Sequence, residues 1–598
     1  MSLRSLFGAA LTYSVPPGAH MSLRAALLAV IAIPLLPSVA RSEPTLADQG
    51  YGFLKKYCFE CHGGEREEVP GYFVLDRDVL IRDRGGLKNP YVKLGKPKES
   101  LLWERIADGS MPMENPDGTN PKPTDEETKL LEKWIVEGAP FPETADRDAV
   151  AGGEILKAID EDLTSLSKQV GGRPHLRRYL TFGNLIANRQ ILPQTIRLHQ
   201  AAVSKLLNSL SWEAMAVPPF LDPKTQEVMV IDLDRYGWTA SAWEALLAVY
   251  PYGLSYANDP VLVRVENSVR AHARTRLPYL RADWFVATAS RPPLYDRLLK
   301  LPATLAELER ERLRIDFEEN FRLDRLVRAG MITSGVSRHN RMVERHPTPF
   351  GAYWRSYDFQ SSQDRGNIVL FPLGPNFVGN PYPTRAFEHA GGELIFNLPN
   401  GLQGYMLADA KDRRLDAAAP VAIVRDLRER AGTPEVVNGL SCIGCHARGM
   451  RNFNDQILGN SGTFTGDELA KVQLLFKPQE QMDRLLRQDE ERFMRAAEEA
   501  TGVYLMVGDD AKAKIRDFPE PIEEVARLYF KDLKPAQVSA EIGVSPDVLQ
   551  GAIGGNRKLR SLGLEPLLRA GALKRELWER KHGLFSRAAF EFGFPFVP

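Results

Sequence analysis

The sequence predicts a mainly α protein in two unequal parts, a small helical N-terminal domain and a large mostly α (α+β) domain. Three observations predict it. Helix-type apolar spacing recurs over residues 45–145, 150–215 and 262–330; strand signals are short and few; and a C-x-x-C-H motif falls once in each part. At 598 residues the chain exceeds one ordinary domain, and 43% apolar with 26% charged content is that of a globular protein. Lys plus Arg equals Asp plus Glu, 77 each, so the chain has no net field to favour nucleic acid or a polybasic membrane contact.

Residues 1–40 read as a signal peptide. Arg24 precedes the apolar run Ala25 to Leu36, and Ser38-Val39-Ala40 fits a small-residue cleavage site. Met1-Ser2-Leu3-Arg4 recurs as Met21-Ser22-Leu23-Arg24, which makes Met21 a second candidate start. No Cys follows the signal, which argues against a lipoprotein anchor. No later run reaches the roughly 18 apolar residues of a spanning helix. The expectation is an exported, soluble, periplasmic chain without a transmembrane anchor.

Residues 45–145 form the first domain. Leu46, Tyr51, Phe53, Leu54 and Tyr57 predict a helix running into Cys58. Thr124-Asp125-Glu126-Glu127 is a capping box. Leu130, Leu131, Trp134 and Ile135 give its helix an apolar face, and Gly138 followed by Pro140 ends it. Between the helices lies Cys58-Phe59-Glu60-Cys61-His62, and Cys442-Ile443-Gly444-Cys445-His446 repeats its pattern; together they hold all four cysteines of the chain. C-x-x-C-H is the attachment signature of c-type haem: two thiols bind the vinyl groups and the adjacent His ligates iron. A zinc site or a redox dithiol would also use paired cysteines. The His after each pair, the great separation of the pairs and the export signal favour haem. The sequence thus predicts two covalently bound haem c groups, anchored by Cys58, Cys61, Cys442 and Cys445, with His62 and His446 on iron. For the first haem, Met111 on the loop Ser110-Met111-Pro112-Met113 is the expected sixth ligand, because a thioether there lies outside regular structure; Met113 is the alternative.

These residues resemble a known domain. Cys58 to Gly64, Gly95-Lys96-Pro97-Lys98-Glu99-Ser100-Leu101-Leu102-Trp103, Met111-Pro112, Asp125-Glu126-Glu127 and Trp134 to Pro140 are similar to the Planctomycete-type cytochrome c domain over about 100 residues. The resemblance implies a cytochrome c fold with a Met ligand at the Met-Pro position. Met113 departs from the pattern, where a second Pro is common.

Residues 150–430 predict a mostly helical domain with β-hairpin elements. Val228 to Leu233 is one strand signal, and Glu393 to Leu398 turned by Asn400-Gly401 into Leu402 to Leu407 is a hairpin. The aromatics Phe350, Tyr353, Trp354, Tyr357 and Phe359 read as core. The second motif falls in 431–510, without a short cytochrome pattern around it. For its sixth ligand, His346 in the polar stretch Glu344-Arg345-His346-Pro347 is the first candidate; His339, His389, Met406, Met450 and Met482 are the others. Residues 511–598 predict a helical C-terminal region, with an αα-hairpin over Leu533 to Pro546. The large part is similar to exported multihaem proteins of bacteria, by loose motifs that imply no activity.

The functional expectation is an exported dihaem cytochrome passing electrons between redox partner proteins. The pattern favours electron transfer over catalysis; a dihaem peroxidase or oxidase with a reactive second iron, or a haem redox sensor, are the competing readings.

Overall fold

The computed structural model describes residues 44–62, 74–83, 90–113, 122–142, 149–332, 339–359, 367–376, 383–418, 424–426, 428–569, 571–580 and 583–595, with Glu60 and Cys61 described by backbone alone. The expected signal peptide, Gly63-Gly64 and the segment Ser334 to Arg338 lie outside these residues.

Local capping starts the N-terminal helices. In α1 (Leu46–Tyr57), Thr45 Oγ1 accepts from Asp48 N at 3.2 Å while the Asp48 carboxylate accepts from Thr45 N at 3.0 Å. Cys58 caps its end and leads into the single turn α2 (Phe59–His62). Then come α3 (Arg77–Ile81) and α4 (Leu101–Ala107). In α5 (Asp125–Val136), Thr124 and Glu127 form the same reciprocal cap, and Gly138 at φ +85° closes the helix. α1 crosses α5 at Gly50, where a Cβ would lie 2.6 Å from Trp134 Cγ, so only glycine admits this approach. Trp134 is fully buried and donates from Nε1 to Pro140 O at 2.7 Å. Phe53, Leu54, Leu131 and Ile135 complete a small core shared only with residues of this N-terminal unit.

The rest of the chain builds a second, much larger core running from Leu180 to Ala589. It contains a four-stranded sheet of β1 (Arg177–Thr181), β2 (Phe220–Leu221), β3 (Val228–Asp232) and β4 (Tyr279–Arg281), in the order β2-β3-β1-β4 with only β1 and β4 parallel. A six-stranded antiparallel meander follows: β5 (Val327–Met331), β6 (Arg341–Thr348), β7 (Gly351–Phe359), β8 (His389–Asn397), β9 (Gln403–Asp409) and β10 (Arg414–Leu415). Gly401, at φ +88°, turns β8 into β9. A short ladder of β11 (Ala417–Ala418) and β12 (Val436–Val437) precedes the helix Leu440–Cys445.

Register fixes the two faces of the meander, because opposed residues share a face. Met331 faces Arg341, Val343 faces Ala329, Arg345 faces Trp354, and Trp354 faces Ile395, which faces Tyr405. These form one face. The helix Gln479–Leu505 covers it, with Asp489 receiving both Arg345 (Nε and Nη2, each 2.9 Å) and Trp354 Nε1 (2.9 Å). The other face carries Glu344, His346, Tyr353, Arg355 and Met406. It is buried too: Arg328 reaches Glu344 at 2.5 Å, and Tyr353 donates to Glu309 at 2.6 Å.

The expectation of a mainly α chain is overturned. The described structure is 49% helix and 13% strand with three sheets, one of them six-stranded, so the fold is mixed α+β. The stretch 262–330 is interrupted by β4 and β5 instead of continuing as helix. Among the described residues no helix is long and apolar enough to cross a membrane.

Candidate functional site

The first C-x-x-C-H sits at the end of α1. His62 N donates to Cys58 O at 2.8 Å, closing the turn, and His62 O accepts from Val74 N at 3.0 Å. Cys58 is buried against the N-terminal core. Met111 follows α4, held by its backbone N donating to Arg105 O at 2.9 Å, and packs half-buried against the same core. Met113 is 61% exposed. Met111 thus packs against the core that holds Cys58, while the Met113 side chain is largely exposed.

The second C-x-x-C-H lies on the helix Leu440–Cys445 and the residue that follows it. His446 is buried, and its Nδ1 donates to Gly449 O at 3.0 Å, which leaves the Nε2 lone pair unspent and fixes the ring. Burial pushes the imidazole down to about 4, against the pull of Glu393, so the ring is neutral at physiological pH. Tyr405 of β9 stacks on it, with centroids 6.0 Å apart. Cys442 and Cys445 form no disulfide. Burial drives Cys442 well up, and drives Cys445 up to about 11 in spite of Arg430. A redox dithiol works through a depressed thiol, so these thiols do not have that character. Among the described residues no group of three or more His, Cys, Asp or Glu is arranged to hold a metal ion.

A cavity of about 390 Å³ adjoins both thiols and His446. Its floor is the sheet face of Met331, Val343, Trp354 and Ile395, and its rim is the segment Met450 to Gln456. On the cavity side of the sheet, Arg341, Arg425, Arg428, Arg430 and Arg451 line it together with the carboxylates Glu393 and Asp426. Arg341 is committed to Asp358 (2.6 Å) and Glu393 (3.1 Å), and Arg430 to Asp426 (2.6 Å) and Glu523 (2.9 Å). Two thiols, an oriented imidazole, apolar walls and several guanidinium groups suit a covalently held macrocycle bearing carboxylates.

The structure brings Cys442, Cys445 and His446 together and leaves His346 apart. His346 lies on the opposite face of the sheet, fully buried, with Nε2 on Glu344 Oε1 at 2.7 Å and its ring edge-on to Phe317 at 4.7 Å. The proposal of His346 as the sixth ligand is corrected by that placement: β6 turns its even-numbered residues away from the cavity. Met406 shares the wrong face, and His389 packs edge-on to Tyr357. Met482 is buried in the Gln479–Leu505 helix, and neither it nor His339 lines the cavity. Met450 does line it, and so does Met331, which the sequence reading missed. The arginine wall was also missed, although Arg425, Arg428 and Arg430 just upstream of the motif and Arg451 just after it are a readable charge cluster.

Residues 58–115 match a family model described as Planctomycete cytochrome C. No curated protein and no solved structure shows a detectable similarity to the chain. The match is consistent with a cytochrome c domain here and supports haem binding and haem-based electron transfer.

Proposed function

We propose that the protein is an exported dihaem c-type cytochrome that passes electrons between redox partner proteins in the periplasm. Its first haem is held by Cys58, Cys61 and His62 with Met111 as the sixth ligand, and its second by Cys442, Cys445 and His446. The observation that carries the second assignment is the His446 imidazole, fixed through Nδ1 beside the buried Cys442 and the half-buried Cys445 at the wall of a cavity. A haem c supplies one-electron exchange between ferrous and ferric iron. The chain's part is to orient His446 through Gly449, to exclude water with Trp354 and Ile395, and to set arginines against carboxylates. Among the described residues, the thioethers that line that cavity are those of Met331 and Met450.

A pyridine haemochrome spectrum of the purified protein tests the reading: two c-type haems per chain are expected, and one overturns it. The exclusion of His346 from the cavity favours one further reading, a second iron that binds a small ligand. Carbon monoxide added to the reduced protein separates the two; a Soret shift on half the haem selects the ligand-binding role, and an unchanged spectrum selects the relay.

A further inference from the structure

Both C-x-x-C-H segments are tied to one nine-residue helix, Pro521–Tyr529. At one end Glu523 meets the second motif. Glu523 Oε1 lies 2.9 Å from Arg430 Nε, and a Cβ on Gly444 would come within 2.9 Å of Glu523 Cδ, so the absent side chain of Gly444 is what lets the motif lie here. One turn on, Arg527 meets the first unit. Its Nη1 donates to Asp76 Oδ2 at 2.7 Å, while Glu524 receives its Nε at 2.9 Å and so aims the guanidinium. Lys531 joins the same Asp76 oxygen, and Lys534 reaches Asp78 at 2.6 Å. Asp76 is buried, and its other oxygen caps α3 by accepting from Asp78 N at 3.1 Å. It stands two residues past Val74, the partner of the His62 carbonyl. Glu523 and Arg527 are i and i+4 on a helix, about 6 Å apart on one face.

A cavity of about 1150 Å³ lies beside the clamp, between α1 and the helix Pro193–Ser209. Buried, hydrogen-bonded charge pairs across this junction fix the docking geometry of the N-terminal unit more sharply than an apolar contact would.

We propose that Asp76, Arg527 and Lys531 are positioning residues that hold the two C-x-x-C-H segments at one fixed separation on the Pro521–Tyr529 helix, so that electrons cross within a single chain. This rests on the dihaem reading. The step it serves moves one electron, oxidising one iron and reducing the other, with no atom transferred.

The test compares wild type with Asp76→Asn and Arg527→Lys in the full haem-loaded protein. Haem content is measured first, then the rate of internal electron equilibration after pulsed reduction. Two haems per chain with equilibration slowed several-fold in Asp76→Asn, and less in Arg527→Lys, is expected, since electron transfer falls steeply as the separation of the two centres changes. Two haems with a wild-type rate overturns the positioning role and leaves the dihaem reading standing. One haem in the wild-type protein overturns both. Should Asp76→Asn fail to accumulate, Lys531→Met removes one prong of the same clamp, and an unchanged rate in it overturns the proposal equally. Asp78→Asn, at the half-exposed outer pair, should keep the wild-type rate; slowing as large as that of Asp76→Asn would mean that the clamp is not specific to Asp76.

Discussion

Gly50→Ala sets two effects of opposite sign against each other at the crossing of α1 and α5. Alanine within a helix is favoured over glycine by about 1 kcal/mol. Against this, the new Cβ would lie 2.6 Å from Trp134 Cγ and closer still to Cδ1 and Nε1. The indole cannot retreat: it is fully buried and tied to Pro140 O at 2.7 Å. Overpacking of this kind costs about 1–3 kcal/mol, and release of the indole would give up a hydrogen bond worth about 1 kcal/mol. The clash wins, with a net loss of about 1–3 kcal/mol. Hydrogen exchange followed by mass spectrometry on peptides covering 46–57 and 125–136 reads this directly, because a loss of 1–2 kcal/mol opens the helices roughly 5–30-fold more often. Exchange that is unchanged or slower in both helices would refute the claim that Gly50 is there for the crossing.

Four more outcomes can be checked. Lys205 Nζ and Glu520 Oε1 pair at 2.9 Å with 5% and 0% of their side chains exposed, so Glu520→Gln should cost roughly 3–5 kcal/mol in urea unfolding and the apolar double change Lys205→Met with Glu520→Leu should recover most of it. Met111→Ala should abolish the far-red band of methionine-ligated ferric haem, while Met113→Ala, on an exposed side chain, should leave it intact in the same spectrum. Burial opposes ionisation of Asp76, but Lys531 and Arg527 outweigh it and hold the carboxyl at about 2; a depressed carboxyl stabilises above its unfolded value near 4, so docking of the N-terminal unit should be full above about pH 4 and be lost as pH falls towards 2, read by limited proteolysis at the junction. Gly444→Ala, whose Cβ would press within 2.5 Å of Arg430 Cδ and 2.9 Å of Glu523 Cδ, should lower the yield of holoprotein, measured as haem stain per chain.

What the sequence makes legible is what is local. Thr124 and Glu127 announce α5 because a capping box involves four consecutive residues, and the two C-x-x-C-H motifs are read directly. The Asn400-Gly401 turn is legible for the same reason. The sheet around it is not. β6 reads Arg-Met-Val-Glu-Arg-His, with no apolar alternation, because both its faces are buried and its charges are paired within the protein, Arg341 with Asp358, Arg345 with Asp489 and Glu344 with Arg328. A pattern search for one wet face fails on such a strand. The same fact misplaces His346, which looks like a loop residue beside Pro347 and is instead the inward side of a strand. Met331 is hidden for a third reason: only the register of β5 on β6 brings it to the cavity, and register is a long-range property.

The separation of the two cores orders events during maturation. The N-terminal core uses only residues 53–139 and can close while the rest of the chain is still emerging. The main core needs residues as late as Ala589, and the helix that backs the second motif begins only at Pro521. Cys442 is 6% exposed once that helix is seated. On the dihaem reading, its thioether bond therefore has to be made on a chain that has not yet closed, and the same holds earlier at the first motif, where Cys58 is buried in the N-terminal core.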